Sequence, residues 1–93
     1  MARYLIEVPH SENKSDCLRA IEVFLTSGSH FLANADWGCD DGVHKAWFFA
    51  DVDNREEALQ IVPPLYRHQA VITRVTKYTR KKMEESAVQY HKG

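Results

Sequence analysis

Polar and apolar positions alternate at the start of the chain. Tyr4, Ile6 and Val8 are interleaved with Arg3 and Glu7, the period-two pattern of a half-buried strand over 2–8, and Pro9 closes it. The period then lengthens. Over 13–27, Cys17, Leu18, Ile21, Phe24 and Leu25 recur at three- and four-residue spacing, which predicts a helix. Gly28 stands where a left-handed C-terminal cap belongs. Two further strands are predicted over 30–37 and 43–51. Between them, 38–42 supplies two glycines for positive φ and two turn-forming acids, the chemistry of a hairpin. Asp53, with Glu56 three residues on, has the spacing of a capping box. It opens a second helix with Ala58, Leu59, Ile61 and Val62 on its apolar side. Pro63-Pro64 ends that helix, because neither nitrogen can donate a helical bond. A last strand is predicted over 69–77, and 80–90 reads as a helical tail with a thin stripe of Met83, Ala87 and Tyr90.

The order is βαββαβ plus a tail. It predicts an α+β, ferredoxin-like sandwich: a four-stranded antiparallel sheet with two helices on one face, a single domain over 1–78, and a C-terminal helix or tail over 79–93. A hairpin symmetric about Asp40 would set Trp37 opposite Val43, Asp36 opposite His44, Asn34 opposite Ala46 and Leu32 opposite Phe48. Phe31, Ala33, Ala35, Trp37, Val43, Trp47 and Phe49 then lie under the helices with Tyr4, Ile6, Val8, Val71 and Val75. His30, Asn34, Asp36, His44 and Phe48 fall on the open face, joined by Leu5, Glu7, Ile72, Arg74 and Tyr78. That face mixes large apolar groups with a few ionisable ones. Water-exposed apolar patches of this kind mark interfaces, so a homodimer closing over a pocket is the expectation.

Composition narrows the function classes. Of 93 residues, 44% are hydrophobic and 27% charged, as in an ordinary globular domain. Twelve basic against 13 acidic side chains leave a net charge of −1, with no general footprint for nucleic acid. Lys77, Arg80, Lys81 and Lys82 form one basic cluster, read as a solvated helix end. No apolar run reaches the ~20 residues of a membrane span. Arg3 and Glu7 interrupt the N-terminal apolar stretch, unlike a signal peptide. The expectation is a cytoplasmic protein with no membrane partner. Cys17 and Cys39 form no CxxC pair and read as free thiols.

The element order, the run Ala46-Trp47-Phe48-Phe49 leading to the acidic cap and Glu56-Glu57-Ala58, and the final strand ending near Tyr78 resemble the dimeric α/β-barrel superfamily. More specifically, the chain resembles small proteins grouped with muconolactone-isomerase-like and YCII-related domains. The resemblance implies a homodimer; relatives include isomerases, cofactor-free monooxygenases, haem enzymes and proteins without a reaction, so fold alone does not select a chemistry.

Asp36 with His44 is the sharpest catalytic candidate. A carboxylate opposite an imidazole would fix its tautomer and raise its basicity for proton transfer. Arg74 or Tyr78 would then take an anionic or enolic oxygen, with His30, Asn34 and Glu7 helping to bind substrate. This pocket predicts binding of a small organic acid or lactone, with isomerase-like proton transfer and no organic cofactor. The alternative is a non-catalytic interaction protein that uses the open face against a protein partner, with Asp36 and His44 simply a polar pair fixing the hairpin register. His30, Cys39 and His44 offer metal-ligand types, but H-x8-C-x4-H fits no standard zinc spacing, and no metal is expected. Cys17, on the apolar helix stripe, reads as core filler.

Overall fold

The computed structural model describes the backbone of residues 1–92 and the side chains of 1–86. Four strands form one antiparallel sheet: β1 (Ala2–Pro9), β2 (Asp36–Trp37), β3 (Lys45–Val52) and β4 (Val71–Val75), in the order β2-β3-β1-β4. The helices are α1 (Lys14–Thr26), α2 (His30–Ala33), α3 (Arg55–Ile61) and α4 (Arg80–Lys92), with 3-10 turns at Cys39–Asp41 and Pro64–Gln69. The chain is therefore a small α+β protein built on a four-stranded antiparallel sheet, consistent with a ferredoxin-like class. No helix among the described residues is long and apolar enough to cross a membrane. The Ala87 and Tyr90 side chains of the predicted tail stripe lie outside the described residues.

α1 forms where the apolar period placed it. Asn13 caps it by accepting the Ser15 N–H at 3.0 Å, and Gly28 leaves it with φ +84°. Phe24 on its inner face is fully buried and meets Trp37, Phe48 and Tyr66 edge-on, with ring centroids 4.9, 6.3 and 6.3 Å away. The second cap falls one residue later than its sequence position suggested. Asn54 accepts the Glu57 N–H at 2.9 Å, while Glu57 reaches back to the Asp53 N–H at 3.1 Å.

The segment 30–37 departs from its predicted strand. Ser29 accepts the Leu32 N–H and caps a single helical turn, and the Asn34 amide closes that turn by donating to the His30 carbonyl at 2.7 Å. These local side-chain bonds compete with a strand ladder. Only Asp36 and Trp37 remain to pair with β3, opposite Trp47 and Ala46. Relative to a symmetric hairpin, Trp37 has moved from Val43 to Ala46, an odd number of positions, and an odd slip reverses the faces of one strand against the other. Ala46, Phe48 and Ala50 therefore bury under the helices with Tyr4, Ile6 and Val8, while Trp47 and Phe49 turn to the helix-free face. β4 shows the same reversal. Ile72 and Arg74 stand opposite Ile6 and Tyr4 on the helix side, leaving Val71, Thr73 and Val75 on the helix-free face.

Candidate metal centre

β1 and β3 run one step past their last paired strand residues. His10 N–H donates to the His44 carbonyl at 3.0 Å, so the two imidazoles sit side by side, ring centroids 5.7 Å apart at 88°. Cys17 lies at the start of α1. Its N–H donates to the Asn13 carbonyl at 2.9 Å, and the side chain points back toward the helix N-terminus, as helical Cα–Cβ bonds do. It is buried, with 8% of its surface exposed. Cys39 begins the 3-10 turn between β2 and β3, held from both sides by glycine. At Gly38 there is no room for a side chain, and Gly42 takes φ +77°. The Gly38 carbonyl accepts the N–H groups of Asp41 and Val43 at 3.0 and 2.9 Å, and Gly38 N–H donates to the Lys45 carbonyl at 3.1 Å.

These four elements bring His10, Cys17, Cys39 and His44 together, with one potential ligand atom from each and all of those atoms within 4.8 Å of one another. His10 Nε2 lies 3.3 Å from Cys17 Sγ and 3.2 Å from Cys39 Sγ, and the two sulfurs are 3.1 Å apart. Trp37 lies beside the group, edge-on to His10 with centroids 5.6 Å apart. The Nδ1 atoms of both His10 and His44 are buried without a hydrogen-bond partner among the described residues. Buried polar atoms are rarely left so.

Thiolate and imidazole donors select borderline-soft cations such as zinc over calcium or magnesium. At Zn–S ~2.3 Å and Zn–N ~2.0–2.1 Å, tetrahedral ligand atoms stand ~3.3–3.8 Å apart. To admit such an ion the sulfurs must part by about 0.7 Å, and the widest ligand spacing, up to 4.8 Å, must close by about 1 Å. Four protein ligands would fill the coordination sphere, as in sites that hold structure rather than turn over substrate. The pKa shifts of His10 and Cys39 act in opposite directions on binding, since a cation needs a neutral imidazole and a deprotonated thiol. Burial, with His44 alongside, holds His10 below its ordinary 6.5, so its ring is neutral at pH 7. Burial and then the Cys17 thiol push Cys39 up to about 11, so without a cation it stays a thiol.

The residues singled out from sequence are dispersed. His44 joins the cluster. Asp36 does not oppose it; Asp36 is exposed and opposite Trp47 on the helix-free face, because the register placed His44 before β3 begins. Glu7 is on the same face, accepting the Trp47 Nε1–H at 2.9 Å with Lys45 Nζ 4.0 Å away. His30 and Asn34 belong to the α2 turn, where the His30 ring lies against Phe31 at 4.1 Å between centroids. Arg74 is exposed on the helix side of edge strand β4. Tyr78 is 67% exposed, with Lys82 Nζ 5.3 Å from its ring. His30 is thus not in the ligand set, whose members besides Cys39 and His44 are His10 and Cys17. The available signal was the mirrored pairing His10-x6-Cys17 and Cys39-x4-His44, each pair straddling a junction between elements.

No protein-family model, curated protein or solved structure matches the chain.

Proposed function

We propose that this is a metal-binding protein that holds one zinc-type cation through His10, Cys17, Cys39 and His44. The observation that carries it is the convergence of all four donors within 4.8 Å, from four separate parts of the fold. The chemistry of the set, two soft thiols and two imidazoles, supports the same ion class. Bound there, the ion ties the turn at Cys39–Asp41 to the start of α1 and to the adjoining ends of β1 and β3. Because the unfolded chain lacks this site, binding energy adds to folding energy. The experiment is metal analysis of protein produced in zinc-supplemented medium and dialysed against a weak chelator. One equivalent of zinc is expected, lost in Cys39→Ser and His44→Ala; sub-stoichiometric metal that is indifferent to both substitutions refutes the proposal.

The helix-free face supports a second reading, homodimerisation over a small-molecule groove as in ferredoxin-like dimeric barrels. Phe49 and Val71 are 48% and 50% exposed there. A groove of about 410 Å³ is lined by Arg3, Leu5, Phe49, Val75, Thr76 and Lys77. Along β1 this face runs Arg3, Leu5, Glu7: positive, apolar, negative. A two-fold axis near Leu5 and its partner Phe49 would lay each Arg3 toward the other copy's Glu7, so the surface is self-complementary. Native mass spectrometry decides the point: a dimer is expected, and a monomer at micromolar concentration rejects it.

A further inference from the structure

The same site contains a second kind of chemistry. We propose that Cys17 and Cys39 are a reversible oxidation site, closing to an intramolecular disulfide that expels the cation. This rests on the metal-binding reading, and concerns how that site would be emptied and refilled.

Three observations point to it. The two sulfurs stand 3.1 Å apart, so a disulfide at ~2.05 Å needs them to approach by only ~1 Å. They are the only two cysteines in the chain, so the pair has no competing partner within it. Their surroundings are unequal. Cys39 is partly exposed on a turn whose next three residues, Asp40, Asp41 and Gly42, face solvent, while Cys17 is buried at the start of α1. An oxidant therefore meets Cys39 first, and Cys17 is placed behind it as the resolving thiol. Both soft donors of the site are consumed together, leaving only His10 and His44, two ligands where a tetrahedral zinc site uses four.

The step balances with a peroxide as oxidant. The Cys39 thiolate attacks one peroxide oxygen, the O–O bond breaks, and Cys39 becomes a sulfenic acid as hydroxide leaves. The Cys17 thiolate then attacks the Cys39 sulfur, the S–O bond breaks, and a second hydroxide leaves. The two sulfurs have lost two electrons and the peroxide has gained them; two protons from solvent turn both hydroxides to water. Zinc departs as Zn²⁺ with its oxidation state unchanged. An external dithiol reverses the step by thiol–disulfide exchange, giving up two electrons and two protons.

The disulfide would keep the turn linked to α1 after the cation leaves, so the two states share a fold and differ in metal content. The test uses the zinc-loaded, full-length chain. Hydrogen peroxide is titrated in while a chromophoric chelator reads free zinc and denaturing mass spectrometry reads the chain. The expected result is one zinc released per chain that loses about 2 Da, with rebinding after dithiothreitol. In Cys17→Ser, loss of about 2 Da should vanish and oxygen adducts on Cys39 replace it. Zinc retained through oxidation, or released with added oxygen and no disulfide in the natural sequence, overturns the gate and leaves the metal site standing. Absence of stoichiometric zinc before any oxidant overturns both.

Discussion

Gly38→Ala tests how the metal site is held. An alanine Cβ at this position would sit 2.6 Å from the Val43 carbonyl oxygen and 2.8 and 2.9 Å from two Trp47 ring carbons. Ordinary contact begins at 3.4 Å, so the backbone must give by about 0.8 Å. It has little freedom to do so. Gly38 holds three backbone hydrogen bonds, to Asp41, Val43 and Lys45, and the Val43 carbonyl also accepts the Lys45 N–H at 2.9 Å. The cost expected is ~1–3 kcal/mol of metal-free stability, the usual range for overpacking. The larger effect falls on the site. Cys39 is the next residue and His44 follows Val43, so two of four ligands shift, whereas ligand distances tolerate only ~0.2 Å. Zinc affinity should drop at least ~10-fold, the scale on which supporting residues act. Gly42→Ala is the control. A Cβ there meets nothing within 4 Å, so its penalty is the positive φ alone, ~1 kcal/mol. Competition titration against a chromophoric chelator measures affinity, and urea unfolding of the metal-free proteins measures stability. Gly38→Ala binding zinc as tightly as the natural sequence, or Gly42→Ala losing as much, would refute the reasoning.

Zinc must displace the proton of Cys39, which is pushed up to about 11 without it, so apparent affinity should rise by up to ~10-fold per pH unit from 7 to 8; a flat profile by competition titration would exclude thiolate ligation by Cys39. In the metal-free protein the His10 value is lowered on folding, so the unfolded chain binds more protons below 6.5; the stability contributed is complete above that pH and lost as pH falls through the lowered value, which urea midpoints at pH 5 and 7 will show unless His10 stays protonated in the fold. Phe24→Ala, which empties a fully buried position among three aromatic rings, should cost ~3–5 kcal/mol in urea unfolding, and a loss under ~1 kcal/mol would mean α1 is not seated on the sheet. Phe49→Glu should convert a dimer to monomer with little change in monomer stability, read by sedimentation velocity; an unchanged dimer places the interface elsewhere.

Much of the scaffold was legible in the sequence because its signals are local. The period of Cys17, Leu18, Ile21, Phe24 and Leu25, the cap at Gly28, and Pro63-Pro64 each act within a turn or two, and α1 and the end of α3 follow them. Of that stripe, Cys17 and Phe24 are buried while Leu18 and Leu25 are exposed. The hairpin failed for an equally physical reason. Period two in 30–37 was outweighed by Ser29 and Asn34, whose side chains satisfy a helical turn, and the shortened β2 then entered the sheet out of phase. Every cross-strand pairing built on that phase, Asp36 with His44 above all, moved with it. The site was half legible. Cys39 and His44 drew attention as ligand types, while Cys17 looked like core filler because a buried thiol on an apolar helix stripe usually is one. Its meeting with His10, Cys39 and His44 depends on four chain segments converging in space, and no periodicity within a segment carries that information.

The central claim is a four-ligand, two-sulfur metal site, and cobalt reports on it directly. Cobalt(II) is titrated into the metal-free, reduced protein under anaerobic conditions and followed by absorption. The account predicts thiolate-to-cobalt charge-transfer bands in the near ultraviolet with intense visible bands of a tetrahedral ion, saturating at one equivalent and displaced by zinc. A weak octahedral spectrum without charge transfer, or one that climbs without saturating, would contradict it.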